Sequence, residues 1–235
     1  MKQFRLLEAD EIEARISICN QYGVGILLYK DARVDQNILD EAVGTMNWQR
    51  HHTRDNANCI VSIWDESKKQ WIEKEDTGTE SFTEKEKGLA SDSFKRACFN
   101  WGIGRELYTA PSMFVLKKDL KTLTEDRGKW TCKDSFKVTE IQYIDRNICY
   151  VKIYNNKTGG EIEFGTPKTE KQKQEELAKQ IIDTVKVNAL IERCKNDGVD
   201  TKTIERLYKV KDLAELTEYK YAHINQVWDK IKAAE

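Results

Sequence analysis

The sequence of 235 residues contains no apolar run of about 18 residues, the length that a membrane-spanning helix needs. Its first residues, MKQFRLLEADEIEARI, contain no apolar segment of the kind found in secretory signals. The formal net charge is only −1, which excludes a general polycation that coats nucleic acid. We therefore expect a cytoplasmic protein without a membrane partner, in which any anion-binding surface is a local strip of basic residues.

Cysteine pairs are also missing. The chain has 6 cysteines, and none of them belongs to a CxxC pair. Widely separated cysteines are typical of reduced, mostly buried thiols in a cytosolic protein rather than of a zinc site. We therefore expect no zinc site built from these cysteines. We also expect no other bound metal and no cofactor.

The most strongly patterned stretch is residues 77–111, TGTESFTEKEKGLASDSFKRACFNWGIGRELYTAP. Thr83 and Glu86 have the spacing of a capping box at a helix start, and Gly102 and Gly104 suit the backbone just past a helix end. Between them the apolar residues recur at helical spacing: Leu89, Ala90, Phe94, Ala97, Cys98 and Trp101. Four polar residues lie off this stripe: Lys87, Ser91, Lys95 and Arg96. The pattern predicts a helix that buries one face and presents basic side chains elsewhere.

The segments before this helix indicate an α+β unit. Helical spacing of apolar residues predicts one helix over 6–22 and a second over 35–44, which Gly44 ends. Runs rich in β-branched and aromatic residues predict three strands of an antiparallel meander, at 45–54, 58–64 and 70–76. The polar residues 65–69 are predicted to form the hairpin turn between the last two strands. We expect the meander to pack on the central helix.

The second half of the chain is predicted to contain a second small β segment and an α-helical appendage. Strands are expected at 136–141, 148–154 and 161–164, and helices at 175–197, 201–208 and 213–234. The polar stretch 166–174 has no periodic pattern, and we interpret it as a linker. The predicted domains are therefore 1–165 and 175–235.

One block of the chain has a recognisable order. Cys59-Ile60-Val61 in a strand, a polar turn, a strand ending in acidic residues, Thr77-Gly78-Thr79 and a helix containing ASDSFKRA follow one another. This order resembles the Rad fifty-two family, and the phrases EKEKGLASDSFKRACFNWGIGRELY and NWQR are similar to its phage branch. The resemblance covers roughly residues 5–111, and we carry no function onto the rest.

The resemblance implies a Rad fifty-two-like annealing fold and a protein that binds single-stranded DNA along a basic groove. Such proteins form rings or filaments of identical subunits. They pair complementary strands without ATP in homologous recombination and double-strand break repair. Because annealing needs no covalent chemistry, the protein is not expected to be an enzyme. A phage-encoded protein of this kind would act in the cytoplasm of the bacterial host.

The resemblance also implies individual DNA-binding residues. The Lys-Arg pair at the family's inner DNA site matches Lys95 and Arg96, and an early arginine of the family matches Arg33. A third basic residue of the family falls at Phe99, which leaves Arg105 as a candidate substitute. On sequence alone, Lys95 and Arg96 are also typical of a solvated helix face, and Arg33 of a loop arginine that pairs with a carboxylate.

Other basic residues are candidates for the same DNA-binding function. Alternation along a strand places Arg50, His52 and Arg54 on one side, which is either a DNA face or the ordinary polar face of a sheet. Lys74 belongs to a hairpin that is either solvated or part of an outer groove. Lys87 lies off the apolar stripe of the central helix.

Two rival functions remain open at this point. Asp55 and the sequence Glu66-Ser67-Lys68 loosely imitate the arrangement with which a metal-dependent nuclease holds magnesium, although 65–69 is expected to be an exposed turn. Alternatively, the protein is an oligomeric adaptor whose C-terminal helices recruit a recombination partner. A single-strand-binding protein is one candidate partner for these helices.

Overall fold

The computed structural model describes residues 3–79 and 85–232, except for the side chains of residues 85–87. The chain forms two compact units, Met1–Pro167 and Lys168–Glu235, each with its own hydrophobic core. The boundary between the units falls inside the predicted linker at 166–174. Residues 170–174 of that stretch are helical, because Thr169 forms a capping box with Gln172 that starts a helix.

The first unit contains a six-stranded antiparallel sheet with the strand order β11-β10-β9-β1-β2-β6. Its strands are β1 (Ile12–Asn20), β2 (Gly23–Lys30), β6 (Met113–Leu116), β9 (Phe136–Ile144), β10 (Asn147–Asn155) and β11 (Glu161–Gly165). A small hairpin, β7 (Thr124–Asp126) and β8 (Lys129–Thr131), precedes β9. β9 pairs with β1, with Phe136 opposite Ala14. The prediction of a second small β segment is therefore wrong in one respect: its strands extend the N-terminal hairpin into a single sheet.

The predicted helix over 6–22 is also wrong, because this segment forms a short 3-10 helix (Ala9–Glu11) followed by strand β1. The pairing of β1 with β2 shifts by one residue between Ile16 and Ile18. This bulge places Ile12, Ile16 and Cys19 against the core, at a spacing of i, i+4 and i+7 that imitates a helix.

The predicted meander is confirmed, and it packs on the central helix. Its strands are β3 (Trp48–Thr53), β4 (Asn58–Asp65) and β5 (Gln70–Thr77), in this order. Helix α2 (Lys85–Trp101) lies against this sheet with Phe94 fully buried. The indole N–H of Trp101 donates to the carbonyl of Val61 at 3.0 Å. The capping box predicted at Thr83 lies outside the described residues.

Both helices of the first unit end at the predicted glycines. Helix α1 (Ala32–Val43) ends at Gly44. Helix α2 ends at Gly102 and Gly104, whose φ angles of +91° and +72° lie in the left-handed region that favours glycine. A 3-10 helix (Arg105–Thr109) follows and leads towards β6. The two glycines therefore turn the chain from the three-stranded sheet back to the edge of the six-stranded one.

The second unit is helical, as predicted, but its helices are shorter than expected. They are α3 (Glu170–Leu177), α4 (Thr184–Asp197), α5 (Thr201–Tyr208), α6 (Glu218–Gln226) and α7 (Trp228–Lys232). The predicted helix over 175–197 is interrupted where Ile181 forms an isolated β-bridge with Thr217 and where Asp183 caps α4. Within the described ranges 3–79 and 85–232, no helix combines the length and the apolar character that crossing a bilayer requires.

Candidate nucleic-acid interface

A groove of about 630 Å³ opens beside strand β2. Strand β6 pairs with β2 only over residues 23–26, so among the described strands none pairs with the same edge of β2 from Leu27 to Lys30. At this place β2, helix α2 and the chain that leads into β6 enclose the groove. Its floor is mainly apolar and aromatic: Leu27, Tyr29, Phe99, Leu107, Tyr108 and Phe114. The groove is therefore wide and apolar, with one wall formed by α2.

Two of the predicted cations, Lys95 and Arg96, lie on this α2 wall. Both are half-buried, and they are presented there because Phe94 on the other side of the helix is fully buried. Lys95 forms no ion pair with any carboxylate in the described part of the chain. The Nε atom of Arg96 lies 3.5 Å from Oδ1 of Asp76, and the Arg96 side chain remains 41% exposed. Lys95 is thus available to bind an anion, whereas Arg96 already interacts with the carboxylate of Asp76.

Arg33 lies in the first turn of α1 and does not line the groove. Its guanidinium donates to both carboxylate oxygens of Asp31 at 3.2 Å, and its side chain is 83% exposed. These hydrogen bonds lower the pKa of Asp31, and the charge of Lys95 lowers it further. Arg33 is therefore paired with Asp31, a carboxylate that also feels the charge of Lys95.

Lys74 and Arg105 lie at the C-terminal end of α2 instead of in the groove. Nζ of Lys74 donates to the carbonyl of Asn100 at 2.7 Å, and Arg105 donates to the carbonyl of Phe99 at 2.6 and 3.0 Å. Cations at this end satisfy the last carbonyls of a helix and its dipole. Both residues line a separate cavity of about 520 Å³ together with Arg146. Their observed contacts explain them as caps of α2.

The basic cluster on β3 lies on the opposite side of α2 from Arg96. The guanidinium of Arg50 lies 4.9 Å from the centre of the Phe94 ring. Because successive residues of an α-helix are rotated by about 100°, Phe94 and Arg96 point in directions about 160° apart. Nδ1 of His52 lies 3.4 Å from Oγ of Ser93, and burial lowers the pKa of His52. These side chains therefore do not share the groove with Lys95.

The alternation predicted for Arg54 fails, because β3 ends at Thr53 and Arg54 adopts a φ of +51° in the following turn. The side chain of Lys87 lies outside the described residues, so its predicted role is not addressed by the structure. Of the nine predicted residues, the structure thus gathers Lys95 and Arg96 in the groove, with Arg33 nearby.

A buried ion pair beside the groove was missed by sequence reasoning. The side chains of Lys30 and Asp35 are 1% and 0% exposed, and they contact each other directly. Burial raises the pKa of Asp35 to about 6, although the charge of Lys30 opposes the shift. Asp35 was expected to open α1, but Asp31 caps the helix and Asp35 points into the core. The alternation along β2, in which Lys30 follows Leu28 on the buried side, is the signal that could have revealed it.

The arrangement imagined for a metal-dependent nuclease is not assembled. Asp55 lies in the turn before β4 and Glu66 in the turn after it, so the strand separates them by roughly 23 Å. No cluster of three or more metal-binding side chains occurs among the described residues. No disulfide joins the six cysteines, and three of them are buried: Cys59, Cys98 and Cys194.

No protein-family model matches the chain, and no significant match was found among curated proteins or solved structures.

The geometry alone therefore indicates what the groove can bind. Its lining includes Lys95, Arg96 and the carboxylate of Asp92, which accepts a hydrogen bond from the backbone of Thr79 at 2.9 Å. Cations beside an apolar, partly aromatic floor suit a ligand that combines negative charge with flat apolar groups. Single-stranded nucleic acid has this combination along its whole length.

Proposed function

We propose that the chain is a single-strand annealing protein with a Rad fifty-two-like fold. The groove beside β2 binds single-stranded DNA, and an oligomer of identical subunits pairs complementary strands without ATP in recombination and repair. Lys95 and Arg96 hold phosphates, and Arg33 adds to the positive field at the start of α1. The proposal draws on the sequence resemblance for annealing and oligomerisation, and on the groove for DNA binding.

The observation that supports DNA binding best is the position of Lys95 and Arg96 on the wall of an apolar groove. Phosphate contacts hold a strand without reading its sequence, which is what a protein that anneals arbitrary strands needs. A helix packed on a sheet keeps the two cations at a fixed spacing. Arg96 adds a planar guanidinium that can donate to two phosphate oxygens. A solvated helix face would not require a concave apolar floor beside the cations.

The first test is the affinity of the protein for a labelled oligothymidylate, measured by fluorescence anisotropy over a series of salt concentrations. We expect Lys95→Ala/Arg96→Ala to weaken binding at moderate salt by at least about tenfold. The slope of log K against log salt should fall by about 1.4, because each neutralised phosphate of a single strand contributes about 0.7. The variant should remain folded, since both side chains are partly exposed.

The matched control removes the same charge elsewhere. Lys68 and Lys69 are exposed in the turn after β4, where they pair with Asp65 and Glu66. Lys68→Ala/Lys69→Ala should change the affinity by less than about twofold. An affinity of Lys95→Ala/Arg96→Ala within twofold of the wild-type value would contradict the assignment of the groove and favour the adaptor function.

A second variant tests the contact between Arg96 and Asp76. Asp76→Asn removes the negative charge that competes with DNA phosphates for Arg96. We therefore expect DNA binding to become about two- to fivefold tighter. Annealing itself is measured by energy transfer between complementary labelled strands in the absence of ATP, and the subunit number by mass photometry with and without DNA. A wild-type protein that binds strands but never accelerates their pairing would contradict the annealing activity.

A further inference from the structure

Tyr108 is the aromatic side chain of the groove that is most open to a ligand. It is 69% exposed, compared with 38% for Tyr29 and 37% for Phe114. Its ring packs edge-on against Phe99, with the ring centres 5.2 Å apart and an angle of 75° between the planes. Phe99 also contacts Lys30, whose Nζ lies 4.7 Å from the ring centre. The Tyr108 ring is thus exposed and at the same time supported by a partly buried neighbour.

The other tyrosine of the groove is less accessible. The guanidinium of Arg15 lies 5.2 Å from the centre of the Tyr29 ring and covers one of its faces. Among the described residues, no such cation covers Tyr108. Tyr108 also follows the turn made by Gly102 and Gly104, and it belongs to the same lining as Arg96.

We propose that Tyr108 binds a nucleobase of the single strand by stacking, while Lys95 and Arg96 hold the neighbouring phosphates. This inference rests on the proposed function of the groove. A tyrosine ring contacts the face of a base, so it tolerates every sequence. The edge of the base that pairs with a complementary strand stays free. Tyr108 therefore supports a strand in a conformation in which its bases remain available for annealing.

The experiment compares two labelled strands of equal length and charge, oligothymidylate and a strand of abasic residues, which has phosphates but no bases. Binding is measured by fluorescence anisotropy at one salt concentration for the full-length protein. Tyr108→Ala should weaken the binding of oligothymidylate about tenfold or more, and that of the abasic strand by less than about twofold. Tyr108→Phe keeps the ring and should bind oligothymidylate within about threefold of the wild-type protein.

Tyr22 provides the matched control, because it is 66% exposed in the turn between β1 and β2 and does not line the groove. Tyr22→Ala should leave the binding of both strands unchanged. Equal losses for both strands in Tyr108→Ala, or no loss for either, would overturn the stacking role while the proposed function stands. A wild-type protein that binds neither strand would overturn the proposed function and this inference together.

Discussion

Removing one partner of the buried ion pair between Lys30 and Asp35 should destabilise the first unit strongly. Neither side chain has access to solvent, and Oδ2 of Asp35 has no hydrogen-bond partner in the described part of the chain. In Lys30→Met the carboxylate loses its counter-ion. It then either stays charged inside the core or takes up a proton on folding. Both alternatives cost free energy beyond the penalty that burial already imposes on the native pair, in which the pKa of Asp35 is about 6.

The magnitude follows from the loss of the counter-ion. Removing one partner of a buried ion pair typically costs about 3–5 kcal/mol, because it leaves an uncompensated buried charge. We therefore expect Lys30→Met to lower the free energy of unfolding by about 3–4 kcal/mol at pH 7. Lys30 holds the pKa of Asp35 down, so without Lys30 this pKa rises further, and the variant gains more stability than the wild-type protein as the pH falls. The deficit of Lys30→Met relative to wild type should thus shrink by at least about 1 kcal/mol at pH 5.

The double variant Lys30→Met/Asp35→Leu tests whether the loss in Lys30→Met comes from the unpaired charge of Asp35. Replacing a buried pair by apolar residues of similar volume is often neutral or stabilising by about 1–4 kcal/mol. The double variant should therefore be at least as stable as Lys30→Met and close to the wild-type protein. Urea unfolding can be followed by tryptophan fluorescence, because five of the six tryptophans lie in the first unit: Trp48, Trp64, Trp71, Trp101 and Trp130.

Two results would refute this reasoning about the pair. The first is a loss of less than about 1 kcal/mol in Lys30→Met, which would mean that Asp35 finds another counter-ion or reaches water. The second is a double variant whose loss equals the sum of the losses of Lys30→Met and of the single variant Asp35→Leu, because side chains in direct contact should be energetically coupled. The transition of the second unit, reported by Trp228, serves as the internal control and should not move.

Two further predictions concern single residues of the first unit. Gly104→Ala should lower the free energy of unfolding by about 2 kcal/mol or more, because the φ of Gly104 is +72° and a Cβ would lie 2.1 Å from Cε of Lys30. Gly102 has no such neighbour within 4 Å, so Gly102→Ala should cost about 1 kcal/mol less in the same urea titration. Burial raises the pKa of Asp134, but hydrogen bonds from Thr122 and Asn155 outweigh it and lower the pKa to about 2. Asp134→Asn should therefore lower the free energy of unfolding by about 2 kcal/mol between pH 5 and 8, and this deficit should disappear as the pH falls from about 4 towards 2. A Gly102→Ala loss as large as that of Gly104→Ala, or an Asp134→Asn deficit unchanged at pH 2, would contradict these explanations.

Local patterns predicted the elements whose signals lie within a few residues of each other. The meander was predictable because each strand alternates and is bounded by polar turns. The end of α2 was predictable because Gly102 and Gly104 are separated by a single residue. Strand β1 was not predictable, because its bulge converts an alternating pattern into helical spacing around Ile16. The pairing of β9 with β1 joins Phe136 to Ala14 and leaves no local trace in the sequence.

The groove was only half predictable for the same reason. Lys95 and Arg96 could be identified from the apolar stripe of α2 and from the family resemblance. The opposite wall depends on where β6 stops pairing with β2, which no local pattern reports. Arg105 illustrates the limit, because its sequence position allows a groove contact while its guanidinium binds the last carbonyls of α2. Tertiary packing determines which groups a side chain beyond a turn contacts.

The charge balance of the groove makes the proposed DNA binding depend on the proposed assembly. One chain offers Lys95 and Arg96, and Asp76 and Asp92 lie close enough to reduce their field. Two phosphates held per subunit correspond to a salt slope of about 1.4, far below that of proteins that make many phosphate contacts. One subunit should therefore bind single-stranded DNA weakly at physiological salt. Repeating the groove around an oligomer makes each further contact intramolecular and raises the overall affinity by orders of magnitude without new contacts. For a chain of nearly neutral charge, tight strand binding by this groove requires the proposed oligomer.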